Sequence, residues 1–411
     1  MTAQRRSPFA ASKVRIILLL VLILMGALIA VLRLGGRSVP PPASMTPRAS
    51  MPGASHPAEI QPASSVTMAK PDEAGGVQIC GFGKVAINQD DAGALQDRVG
   101  ELTKGTASRW LAALQNSGDL RARAAGLLLE GKVTGGEPLR PVTEQTRDAI
   151  AQLAAGTVEP AVYAVAMSMC GKYSGTAAGG ACQQISLQRW TQIDPGNAVP
   201  WLLLADDAQR RHNVADEANA FAHAANSTKV DAYGDSLYAF AAPELPPDVT
   251  PLERDYFATE VMGVEAAMAT PHYGIAGRLC SVEAMRDSKV RQQCSSLAEL
   301  LVNHGSDLLD LAVGKAIGIR AGWTSARVNE LAQHQYALME IIRELAPAAD
   351  ADWTCEAVSR VNAYMDQRVR VGEAAAANDL LERSGGTVPE LAQRYRQFLD
   401  DMRRNAERQD Q

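Results

Sequence analysis

Aromatic residues make up only 5 % of these 411 residues. A core with so few rings closes on small and aliphatic side chains, which suits helices packed tightly against one another. The missing motifs exclude more. No H-E-x-x-H, G-x-S-x-G or P-loop pattern occurs, so zincin, α/β-hydrolase and P-loop nucleotide chemistry lack their signatures. None of the six cysteines forms C-x-x-C, which argues against a structural zinc site. Neither a cofactor nor a metal is expected. Cations are few once the N-terminus is set aside. Residues 1–37 hold Arg5, Arg6, Lys13, Arg15, Arg33 and Arg37 and no acid; removing these six from the formal charge of −6 leaves −12 on the remainder. Nucleic-acid binding depends on Lys and Arg releasing counterions from phosphate, so so acidic a body is not expected to bind it.

The long apolar run is at the start. Ile16–Leu32 is uncharged and spans about 26 Å as a helix. With Val14 and Leu34 added, and Arg15 and Arg33 snorkelling, residues 14–34 read as a transmembrane helix. The basic residues before it favour a cytoplasmic N-terminus over 1–13. A cleaved signal peptide would need a shorter apolar region and a small-residue cleavage site, which do not follow. Residues 35–76 are rich in Pro, Ala and Ser and read as a disordered tether. The expected setting is a bacterial inner membrane, crossed once, with residues 77–411 as an all-α domain in the periplasm.

An exported domain is expected to use its cysteines in disulfides. Fifteen pairings are possible for six cysteines. Spacing selects one: Cys170 with Cys182, Cys280 with Cys294, and Cys80 with Cys355 joining the start of the body to its far end. The short-loop bridges contribute roughly 3 kcal/mol each in the chain-entropy treatment.

Two apolar runs around Gly81 and Gly83 (77–88) suggest an extended segment or a small hairpin. Helical periodicity then dominates. Helices are expected at 105–116, 119–130, 143–155, 160–171 and 181–193. Further on they are expected at 250–270, 271–284, 288–304, 306–321, 323–345 and 352–384, with a last one after 387. Thr250-Pro251-Leu252-Glu253 and Thr387-Val388-Pro389-Glu390 spell capping boxes.

The stretch Trp190–Ala225 is the most informative. Asp194-Pro195-Gly196-Asn197 marks a turn, and Asn197 is placed to cap a helix reaching about His212. A second helix is expected over 214–225. Trp201, Leu204 and Ala205, followed by Phe221 and Ala224, resemble a tetratricopeptide repeat. Ala208 replaces the usual Tyr, Ala218 needs a one-residue shift, and Lys229 stands where the repeat closes with Pro. No second clean copy is found. The resemblance implies one degenerate repeat, around 194–229, within an irregular array of antiparallel helical hairpins in the α-solenoid style. It also implies a groove lined by the first helix, which makes Asp206, Asp207, Arg210 and Arg211 the candidate partner-binding residues; their i,i+4 pairing also fits a plain solvated face.

The expected function is protein binding or scaffolding without catalysis, with a protein or peptide as partner. The alternative is a cell-envelope serine esterase. Gly234-Asp235-Ser236-Leu237 spells the GDSL tetrapeptide, with Ser236 as nucleophile. A nucleophilic Ser needs a base, and none of the six histidines has an acid three residues before it, as that family's Asp-x-x-His requires. His212 and His223 are close enough in sequence to meet across the hairpin, but no third metal ligand accompanies them. Gly314, Gly318 and Gly322 recur at spacing four, which permits close backbone approach: either tight packing within the chain or a homodimer seam.

Overall fold

A computed structural model describes residues 76–86, 94–133, 142–171, 179–345 and 354–409, apart from 235 and 269. The proposed membrane helix and most of the tether lie outside these residues. Among the described residues no helix is long and apolar enough to cross a membrane. The described residues of Gln78–Gly83 and Ala94–Gln411 form one compact unit. Among the described residues the fold is all-α save for one small sheet, β1 (Gly76–Ile79) with β2 (Gly83–Ala86), so the apolar runs around Gly81 and Gly83 do form a hairpin.

Sixteen α-helices follow among the described residues. The first four are α1 (Ala94–Asn116), α2 (Leu120–Val133), α3 (Glu144–Ala155) and α4 (Pro160–Met169). Next come α5 (Leu187–Ile193), α6 (Ala198–Arg210), α7 (Val214–Ala225) and α8 (Leu237–Ala241). Then α9 (Pro251–Ala266), α10 (Pro271–Leu279), α11 (Ser288–His304) and α12 (Leu308–Ala321). The last are α13 (Ser325–Leu345), α14 (Cys355–Val371), α15 (Glu373–Arg383) and α16 (Val388–Gln409). Neighbours in sequence pack as pairs, α1 with α2, α3 with α4, α6 with α7 and α11 with α12. Two pairings reach further: α9 packs on α14, and α13 on α16. These long-range pairs interrupt any regular stacking.

Helix ends follow local chemistry. Thr250 and Glu253 form the reciprocal capping box at α9, and buried Glu253 also accepts the Thr106 hydroxyl at 2.6 Å, tying α9 to α1. Asp307 and Asp310 form a second box at α12. Thr387 donates its N–H to Glu390 at the start of α16.

Two expected helices are divided. The single helix over 352–384 breaks at Gly372, whose φ of +84° and ψ of 167° are closed to side chains with a Cβ. The helix over 181–193 resolves into a 3-10 turn at Gly180–Gln184 and then α5, because Ile185 and Ser186 are extended. Ser186 caps α5 through the Arg189 N–H, and its own N–H donates to the Tyr163 hydroxyl at 2.9 Å.

The main core runs from α1 through α12 and includes Met365 of α14. Trp110, fully buried, donates Nε1–H to the Ala241 carbonyl at 2.9 Å and lies 5.0 Å from the Phe257 ring. A smaller core joins α12, α13, α15 and α16 through Leu308, Leu338, Ile341, Leu381 and Leu391. On α16 Leu391 and Tyr395 are buried, whereas Phe398, Leu399 and Met402 are only half-buried. Glu340, 0 % exposed, is held beside this core by Arg343 at 2.7 Å and Arg394 at 3.4 Å.

All six cysteines pair as the spacing anticipated: Cys170–Cys182, Cys280–Cys294 and Cys80–Cys355. The last closes a sequence separation of 275 residues. Chain-entropy reasoning gives such a loop about 5 to 6 kcal/mol, roughly twice a short one.

Gly314 and Gly318 pack tightly inside the chain. A Cβ on Gly314 would lie 2.9 Å from the Ala298 carbonyl and from Leu301 of α11, and one on Gly318 would strike the Trp323 ring at 2.2 Å. Gly322 ends α12 at φ 98°. The small residues therefore bring α11 against α12 and let the chain turn back over Trp323.

Candidate functional site

The turn at 194–197 is held by a buried polar cluster that its own residues only begin. Asn197 is 0 % exposed. Its Oδ1 accepts the Val199 N–H at 3.1 Å, capping α6, and the Asp231 N–H at 3.1 Å. Its Nδ2 donates to Asp194 Oδ2 at 2.8 Å and to the Asp231 carbonyl at 2.6 Å. Asp194 Oδ1 also meets Lys229 Nζ at 3.1 Å, and Asp194 Oδ2 accepts the Tyr233 hydroxyl at 2.8 Å. Tyr233 sits at φ 55° and is pushed above the usual phenol range, by burial first and then by Asp231 and Asp194.

Lys229, the departure from the closing Pro, has a structural use. Its N–H donates to the Gly196 carbonyl at 3.2 Å, a bond Pro cannot make, and its ammonium neutralises Asp194. Trp201 donates its indole N–H to the Pro195 carbonyl and stacks on His223 with 4.2 Å between ring centroids. His223 is thus engaged by Trp201. Exposed His212 occupies the turn before α7 at φ 57°, and among the described residues no cluster of potential metal ligands occurs.

The four candidate partner-binding residues do lie together, Asp206, Asp207 and Arg210 on α6 and Arg211 as its C-cap. Arg210 pairs with Asp206 and, at 3.5 Å, with Asp207; Arg211 meets Asp207 at 3.0 Å. A fifth member carries no local signal. Arg278 of α10 reaches Asp206 and, on α7, Glu217, each at 3.1 Å. A helix about 70 positions away along the chain therefore packs on the face that a repeat would leave for a ligand. The cluster is largely charge-balanced within the chain.

Ser236 precedes α8, and Asp235 lies outside the described residues. Ser236 borders a cavity of about 330 Å³ whose polar lining is Asp231, Ser306 and Arg368. Among the described residues no histidine lines it. Arg368, 10 % exposed, is paired with Glu265 at 3.0 Å. The lining thus offers Ser236 no imidazole base.

A second buried polar cluster lies at the α11–α12 corner, and periodicity gave no hint of it. The Tyr273 hydroxyl donates to both Asp307 oxygens at 2.9 and 2.8 Å. Asp310 Oδ2 accepts the Ser306 and Asp307 N–H groups. Burial, and then the adjacent Asp307, raise Asp310 well above the ordinary carboxylate range. Neighbouring His272, 2 % exposed, is lowered by burial to about 3 and is neutral at physiological pH.

No protein-family description matches this chain, and no curated protein or solved structure is similar to it. The class defined by the fold is an array of helical hairpins, compatible with a helical repeat, with three disulfides.

Proposed function

We propose that the chain is a membrane-anchored helical-repeat protein whose body binds a protein or peptide partner at the bacterial cell envelope. The observation that carries this reading is the array of helix pairs in contact, which includes the hairpin at 194–229. Helical-repeat arrays recognise partners through extended faces. The disulfides support an oxidising compartment, in keeping with a periplasmic body behind the apolar segment 14–34. The repeat is of the tetratricopeptide kind, as Trp201, Leu204, Ala205, Phe221 and Ala224 suggest.

The partner face includes Asp207 and Arg211, which meet each other at 3.0 Å. The test places a photo-crosslinking side chain at Asp207, and separately at exposed Arg383 as a control, in the full chain expressed in its membrane. A partner joined at 207 and absent at 383 supports the reading. Equal crosslinking at both positions, or none, overturns it. Labelling of Ser236 by a serine-directed fluorophosphonate, lost in Ser236→Ala, establishes the esterase instead. Protease added outside the inner membrane should digest the body; full protection sinks the periplasmic placement.

A further inference from the structure

The three disulfides differ in how exposed their cysteines are. Cys170 and Cys182 are each 1 % exposed, and Cys280 and Cys294 are 0 % exposed. In the third pair Cys80 is 4 % exposed, but Cys355 is exposed to solvent. Thiol–disulfide exchange needs a thiolate to reach a sulfur, so the two enclosed pairs are protected by the fold, whereas the third is open on one side.

Helix position reinforces the difference. Cys170 and Cys280 lie at the C-terminal ends of α4 and α10, where the negative end of the helix dipole disfavours a thiolate. Cys355 is the first residue of the 17-residue α14, behind the N-cap Thr354, whose hydroxyl takes the Ala357 N–H. A helix N-terminus favours a thiolate. The acid beside it, Glu356, is paired with Arg360 at 3.1 Å.

We propose that Cys80–Cys355 is an exchangeable clasp and that Cys355 is its point of attack by a vicinal dithiol, the chemistry of a C-x-x-C oxidoreductase. The reductant's thiolate attacks Cys355 Sγ and forms a mixed disulfide. The Cys80–Cys355 bond breaks, and Cys80 leaves as a thiolate that takes a proton. The reductant's second thiol, deprotonated, then attacks the reductant's own sulfur and expels the Cys355 thiolate, which the first turn of α14 stabilises. The reductant departs as a disulfide, having supplied two electrons. The covalent ring between the segment Gln78–Gly83 and α14 is then open, while both buried bridges stay closed. This holds whichever partner the body binds.

The test uses the full-length oxidised chain, folded and without denaturant, with dithiothreitol as probe at neutral pH. Aliquots are alkylated, fully reduced, alkylated with a second reagent, and read cysteine by cysteine by peptide mass spectrometry. Cys80 and Cys355 should open at least about tenfold faster than the other four. Glutathione, a single thiol, should leave its adduct on Cys355. One common rate for all three pairs overturns the proposal, as does earlier opening of either buried pair or a glutathione adduct on Cys80.

Discussion

Two helix corners flank residues 229 and 230, and they balance charge in opposite ways. Parallel bridges join Asn197 to Lys229 and Val230 to Gly305, so a single short strand of chain touches both. At the 194–197 corner a buried acid, Asp194, meets an ammonium, an amide and a phenol. At the 305–310 corner two acids share one turn, and among the described residues no Lys or Arg pairs with either. The first corner is neutralised by partners drawn from 30 to 40 residues away. The second answers burial by raising a carboxyl, since an unpaired buried charge is costly. The two corners therefore carry a charge-paired lock and a pH-sensitive one.

The largest effect is expected at the balanced corner. Asn197→Ala removes four side-chain hydrogen bonds and strands Asp194 and the Asp231 backbone in a dry site. It should destabilise the chain by about 4 kcal/mol, read as a lower urea midpoint at neutral pH. A loss under about 1 kcal/mol would show that the cluster is not locked.

The acidic corner should respond with the opposite sign. Because the folded pKa of Asp310 is raised, its contribution is fully present below the ordinary carboxylate pKa and is lost as pH rises through the folded value. Asp310→Asn, whose amide oxygen still accepts the Ser306 and Asp307 N–H groups, should raise the thermal midpoint at pH 7.5 and change it little at pH 4. A uniform drop at both pH values would mean that capping, not titration, governs the turn.

The smallest effect belongs to the surface network. Arg278, Asp206 and Glu217 are each partly exposed, so Arg278→Ala should cost under about 1 kcal/mol, less still in 0.5 M salt. A loss above about 2 kcal/mol would place this network with the buried corner.

Much of the frame was legible in local spacing. Asn197 as cap, the 214–225 helix and the Thr250 box follow from residues within four positions of one another. The disulfides were legible because two pairs close short loops and leave the third by elimination. Lys229 looked like a defect in the repeat, since its partner Asp194 lies 35 positions away. The Gly372 break was overridden by the helical period on both sides of it, although the Gly itself was the signal. Arg278, Tyr273 and the Arg394–Glu340 contact carried no readable sign, because each depends on which helices meet.

The sequence by itself determined the helical class, the caps, the apolar N-terminal segment and the cysteine pairing, since these rest on near-neighbour sterics, hydrogen bonding and loop closure. Only the tertiary structure decided which charges are cancelled, which acid is raised, where the glycine face is spent and which disulfide stays open to a thiol. Those depend on the field, contacts and solvent access that distant helices impose once packed.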